Sequence, residues 1–292
     1  MEKKRSSNSS QAKFSWVGYP DDLGVSNTKG RPGAKEGPAR FEELFLKLNG
    51  RFPVLSRLKE GGSVPMGQDL EENYRNAVST TKSRILALNL KTDALVSVGG
   101  GHDYGYVWFK AVREALPAKT RIACINFDAH FDLRPYDSGM TSGSPFRRLI
   151  EEKLLDPKLL VEFGIQAHCN GPELWDYAKE KKISIIPFEN LRNGKAVPEF
   201  KKVLTRLKQK ADVVLISLDL DALSFAFAPG VSAPQAEGFS ASEIFQMLEI
   251  AGSDKKVTSL GVFELCPPLD FQNLTARLAA QAVWHFLNQK LK

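Results

Sequence analysis

Cysteine is scarce in this chain: Cys124, Cys169 and Cys266 are the only three in 292 residues, and no two of them form a CxxC pair. That excludes a disulfide framework and a thiol-based zinc or redox motif, and it suits a reducing cytoplasm. Long hydrophobic runs are missing too, since no uncharged apolar stretch reaches the roughly 18 residues a membrane helix needs. The basic N-terminus has no apolar segment behind it, so no signal peptide and no membrane partner are expected, and the sequons at Asn8 and Asn273 carry little weight. A marked excess of one charge is also lacking. The formal +6 arises from 40 Lys+Arg against 34 Asp+Glu, and half of it lies in residues 1–13, where Lys3, Lys4, Arg5 and Lys13 face only Glu2. This polar, Ser-rich stretch reads as a disordered tail. The near-neutral remainder offers no basic face, and no nucleic-acid partner is expected.

What is present is an alternation of short apolar runs with amphipathic segments, taken as a single domain over residues 14–292. The runs cover 14–19, 94–100, 121–127, 158–165, 183–188, 213–220 and 257–265, and they end in Gly or polar residues, as buried parallel strands do. Helical patterns lie between them, at residues 39–50, 68–88, 106–116, 144–154, 172–182, 198–210 and 240–252, and a last one runs from 273 to the end. The expected fold is α/β: a mostly parallel sheet of seven or eight strands covered by helices on both faces. Ligands of such sheets bind beyond the carboxyl ends of the strands.

Four strands deliver acids or imidazoles to that edge. His102 and Asp103 follow the first Gly-rich turn; Asp128, His130 and Asp132 follow the run at 121–127; Asp219 and Asp221 end the run at 213–220; Glu264 closes the run at 257–265. Alternate residues of an extended chain project together, so DAHFD can aim Asp128, His130 and Asp132 into one pocket, and Asp219 and Asp221 share that relation. Burying so many acids requires cations to neutralise them. The donor set of carboxylates and two imidazoles suits Mn2+ better than Zn2+ or Ca2+. Taken singly, each feature has a plain structural explanation: a DxD caps a loop, GGGHD makes a tight turn, and His130 fills a core. It is their joint occurrence at four strand ends that points to a binuclear metal site. His285, in the last helix, and the buried-type cysteines Cys124 and Cys266 read as structural.

Gly99-Gly100-Gly101-His102-Asp103, Asn126 to Asp132, Ser217 to Ala222 and Glu264 together resemble the ureohydrolases, the arginase and agmatinase superfamily, in that family's order. The resemblance implies a three-layer αβα fold with an eight-stranded parallel sheet, two Mn2+ ions per chain and a homo-oligomer, a trimer or hexamer. It assigns His102, Asp128, Asp132 and Asp219 to one ion and Asp128, His130, Asp219 and Asp221 to the other. It also implies attack by a hydroxide shared between the ions, with Asp132 passing a proton on and Glu264 gripping the cationic amidine or guanidine of a small-molecule substrate.

Some positions depart from arginase and agmatinase. Ser142 replaces a His that in those enzymes reads as a proton shuttle, and Arg134 stands where arginases carry an Asn near the substrate carboxylate. Arginine offers a bidentate clamp for a carboxylate and would repel a cationic tail. FDAHFDLR, SGSPFRR and the APGVSAP segment (228–234) resemble the formimidoylglutamase branch, which converts N-formimidoyl-L-glutamate and water to L-glutamate and formamide. On that resemblance Arg134, Ser142, Asn170 and Glu264 are expected at the substrate, with Asn27, Arg31 and His168 as further candidates. The readings kept beside it are a guanidino-acid hydrolase or agmatinase releasing urea, a binuclear phosphoesterase, and a non-catalytic metal-binding homologue.

Overall fold

The computed structural model describes residues 11–292. The tail expectation falls mostly on residues 1–10, which lie outside the described residues. Lys13 is already tied to the sheet, its amide donating to Asp93 Oδ1 at 3.0 Å and its carbonyl accepting from the Ala94 amide at 3.0 Å.

Eight strands form one sheet in the order β2-β1-β3-β8-β7-β4-β5-β6, every pair of neighbours parallel. They are β1 (Phe14–Gly18), β2 (Leu58–Glu60), β3 (Ala94–Val98), β4 (Ile122–Phe127), β5 (Leu160–Ile165), β6 (Ser184–Pro187), β7 (Val213–Asp219) and β8 (Val257–Phe263). Every residue of β1, β3, β4, β5 and β8 is buried. Alternate side chains point to opposite faces, so helices cover both faces, the three-layer arrangement expected.

Two helical groups supply that cover. Helices α2 (Gly37–Phe45), α9 (Leu274–Lys290), α8 (Ala241–Ser253) and α7 (Ala196–Lys210) pack in succession, as do α3 (Leu70–Leu86), α4 (Tyr104–Ala115) and α5 (Pro145–Glu151). Their boundaries follow local chemistry. Ser240 and Glu243 form a reciprocal capping box that starts α8, and Asp69 caps α3 by accepting from the Glu72 amide at 2.7 Å. Two elements were not foreseen: the edge strand β2 and the single-turn α1 (Leu23–Asn27). No described helix is long and apolar enough to cross a membrane.

Candidate metal centre and its pocket

The four strands that carry the acids, β3, β8, β7 and β4, are consecutive neighbours in the middle of the sheet. After β3, the amides of Gly99, Gly100 and Gly101 donate to Val262, Tyr19 and Asp21 carbonyls at 2.8, 2.8 and 3.1 Å, which leads the chain to His102 just before α4. Glycine is required at 100, because a Cβ there would lie 1.7 Å from the Asp21 carbonyl oxygen. The Gly100 carbonyl accepts from the Glu264 amide at 2.9 Å, and the Glu264 Oε1 accepts from the His102 amide at 2.9 Å. The two loops thus hold each other.

His102 turns Nδ1 toward three carboxylate oxygens: Asp128 Oδ2 at 3.1 Å, Asp132 Oδ2 at 2.8 Å and Asp219 Oδ2 at 3.0 Å. His130 Nδ1 lies 3.0 Å from Asp221 Oδ2 and 3.5 Å from Asp128 Oδ1. The donors fall into two groups within a metal ion's reach, His102, Asp128, Asp132 and Asp219 in one, Asp128, His130 and Asp221 in the other, with Asp128 common to both. Asp219 is not drawn into the second group. Its Oδ1 accepts from the Asp221 amide at 2.8 Å while its Oδ2 faces His102.

These residues fit divalent cations. His102 Nδ1 and Asp221 Oδ1 are buried without any hydrogen-bond partner among the described residues. One ring nitrogen crowded by three carboxylate oxygens, and bonded to none, marks the place of a shared cation. Burial pushes the Asp219 carboxyl well above its ordinary range, helped by Asp221 and Asp128, and pushes Asp221 up to about 6. Burial opposes charge on His102, yet the carboxylates of Asp128, Asp132 and Asp219 raise its pKa well above the usual imidazole value. Such a cluster lacks positive charge, and two divalent ions would supply it. His102 Nε2 meets the Ser217 hydroxyl at 2.8 Å, a contact that leaves Nδ1 free to ligate if Nε2 carries the proton.

A cavity of about 170 Å³ opens above the cluster. Arg134 and Ser142 line it, as do Asp132 and Glu264, and among the described residues Arg134 is its one Lys or Arg. Asp132 (φ 52°) and Glu264 (φ 67°) hold left-handed backbone that a non-glycine residue rarely adopts. Glu264 is 3% exposed, and burial pushes its carboxyl up to about 7. Its Oε2 accepts from the Ser232 hydroxyl at 2.7 Å. One lone pair on each oxygen is therefore engaged, which leaves one on each to receive a fork of two N–H groups.

Three expected substrate contacts are used elsewhere. Asn170 does not reach the cavity: its Oδ1 accepts from the Phe131 amide at 2.9 Å, and its Nδ2 donates to Ala129 and Gln166 carbonyls at 3.0 and 2.8 Å, clamping the loop that carries His130. Arg31 donates to the Ser232 and Val231 carbonyls at 2.9 and 2.8 Å, so it seats the loop that presents Ser232 to Glu264. Asn27 Nδ2 donates to the Met140 carbonyl at 2.8 Å, and His168 is exposed outside the cavity lining. His285 pairs with Glu249 at 2.7 Å and stacks on Phe245. Ser217 and Ser232 were not singled out as site residues. Ser217 was accessible to alternation, two residues before Asp219, whereas Ser232 lay within APGVSAP without a mark of its own.

This fold with this cluster at its carboxyl edge defines a member of the arginase family, to which the chain belongs: that family matches residues 12–288. Among its relatives is a formimidoylglutamase of Staphylococcus aureus (strain MSSA476), 35% identical over 274 residues, covering 93% of this chain and 84% of that protein. Solved structures include Trypanosoma cruzi formiminoglutamase with Mn2+, at TM-score 0.84 and 28% identity, covering 94% of this chain and 92% of the other. Formimidoylglutamase from Bacillus subtilis aligns at TM-score 0.88 and 25% identity, covering 97% and 89%.

Proposed function

We propose that this chain is a Mn2+-dependent hydrolase of an amidine that carries a carboxylate, and that its substrate is N-formimidoyl-L-glutamate, cleaved with water to L-glutamate and formamide. The observation that carries the reading is a cavity lined by Glu264, Arg134 and members of both ligand groups, His102, Asp132 and Asp219 from one and His130 and Asp221 from the other. The relatives named formimidoylglutamase support it, and the two ligand groups suit two ions per chain.

Mn2+ held by His102, Asp128, Asp132 and Asp219 and by Asp128, His130 and Asp221 would supply Lewis acidity and a water acidic enough to ionise near neutrality. The protein's own groups do the rest. Glu264 receives the protonated amidine as a fork on its two oxygens and orients the central carbon toward the cluster. Arg134, whose backbone amide donates to the Gly143 carbonyl at 2.8 Å, holds a substrate carboxylate. Asp132 lines the cavity, and its carboxylate oxygen not turned toward His102 accepts a proton as water adds and returns it to the leaving nitrogen. Ser142, whose amide is fixed to the Gly24 carbonyl at 3.0 Å, places a hydroxyl rather than an imidazole at the rim.

Mn2+-loaded protein given formimidoylglutamate, arginine, agmatine or 4-guanidinobutyrate separates the readings by product. Formamide from the first is expected; urea from a guanidino compound as the faster product overturns the choice of substrate. In the same assay Arg134→Asn is expected to raise KM for formimidoylglutamate about 10- to 100-fold with kcat little changed, as loss of a charge-assisted contact to an unreactive carboxylate should. An unchanged KM removes Arg134 from recognition.

A further inference from the structure

Directly beneath the ligands, the sheet carries polar side chains where a core would be expected. Glu162 on β5 pairs in register with Asn126 on β4, and Asn126 with Ser217 on β7. All three are fully buried. Asn126 precedes Asp128 by two residues and Ser217 precedes Asp219 by two, so each shares its ligand's side of the strand. Ser217 is accounted for by its contact with His102 Nε2. Glu162 touches no ligand. Its Oε2 accepts from Asn126 Nδ2 at 2.9 Å, and the same Nδ2 donates to Asp128 Oδ2 at 3.2 Å. Among the described residues, Glu162 Oε1 and Asn126 Oδ1 have no partner.

An isolated buried carboxyl with an unpaired oxygen weakens a fold, so its presence needs a reason other than stability. The amide of Asn126 provides one. It has two N–H donors, both on Nδ2, and here they serve the two carboxylates. Rotating that amide by half a turn would bring Oδ1 against Asp128 Oδ2, oxygen against oxygen. Asp128 alone opposes this rotation weakly once its charge is shared with bound cations, and the ionised Glu162 carboxylate adds a second acceptor that favours Nδ2. Asp128 is also the one acid common to both ligand groups, its Oδ1 already fixed by the His130 amide at 2.7 Å.

We propose that Glu162 is a positioning residue for the metal centre: through Asn126 it fixes the carboxylate that both ions would share, at a cost to the stability of the metal-free chain. The proposal rests on the binuclear reading above.

Calorimetric titration of metal-free protein with Mn2+, alongside thermal unfolding of the same metal-free samples, tests it. Glu162→Leu is expected to weaken Mn2+ binding about 10- to 100-fold, the usual loss when an outer partner of a ligand is removed, while Tm of the metal-free protein stays level or rises. Glu162→Gln keeps an acceptor for Asn126 Nδ2 and is expected to bind within about 3-fold of wild type, and Asn126→Leu should reproduce the loss from the other end. Wild-type affinity in Glu162→Leu overturns the proposal. So does a loss in Glu162→Gln equal to that in Glu162→Leu, which would make the negative charge, not the held amide, the cause. A fall in metal-free Tm with Glu162→Leu would reduce the residue to a structural one. If wild type itself takes up fewer than two Mn2+, the binuclear reading fails first and the proposal with it.

Discussion

Asp128→Ala is expected to leave a folded chain that no longer holds the pair of ions and turns over slower by about 10⁴-fold or more, the scale of losing metal-assisted attack. Asp128 is the one residue common to both ligand groups. Without it His102, Asp132 and Asp219 remain on one side, and only His130 and Asp221 on the other. The metal-free variant is expected to lose some stability yet stay folded, because the His130 amide and the Asn126 side chain lose their acceptor. Elemental analysis after dialysis, with circular dichroism as the check on folding, reads the result. Two Mn2+ per chain retained in this variant would mean that Asp128 does not join the groups.

Glu264→Gln separates substrate grip from metal binding. Glu264 belongs to neither ligand group: one carboxylate oxygen accepts from the His102 amide and the other from the Ser232 hydroxyl. Glutamine is nearly isosteric but presents an N–H where the amidine needs an acceptor. Both ions should therefore remain, while formamide release falls about 10²- to 10³-fold, the range for loss of a preorganised charged contact at a reacting group. Inhibition offers an independent reading: the variant should lose sensitivity to formamidinium and keep its sensitivity to glutamate, whose carboxylate the proposed Arg134 clamp would hold. An active variant would mean that Glu264 does not hold the amidine.

Much of this was legible in the residues because two regularities carry it. Apolar runs ending in Gly or polar residues located seven strands, and alternation in DAHFD and DLD placed the ligands together. The strand β2 escaped because Leu58–Glu60 is three residues long and partly exposed, with no apolar pattern. Its pairing with β1 creates it. The left-handed backbone at Asp132 and Glu264 is set by loop contacts such as the bond from the Glu264 amide to Gly100, which leave no trace in residue type. Asn170 misled for a similar reason. An amide near a strand end suits a pocket or a loop equally, and its bond to the Phe131 amide, 39 positions away, decides for the loop. Arg31 was drawn to backbone carbonyls of the APGVSAP segment, a partner that composition does not reveal.

If two Mn2+ ions held by the His and Asp side chains at the centre of the sheet edge make this chain an amidine hydrolase, formamide release from N-formimidoyl-L-glutamate must follow metal loading. Titrating metal-free protein with Mn2+ while formamide is measured should show negligible release without metal and a plateau reached at two ions per chain. A plateau at one ion, or formamide release that survives removal of the metal, would show that the pair of ions is not the source of the activity.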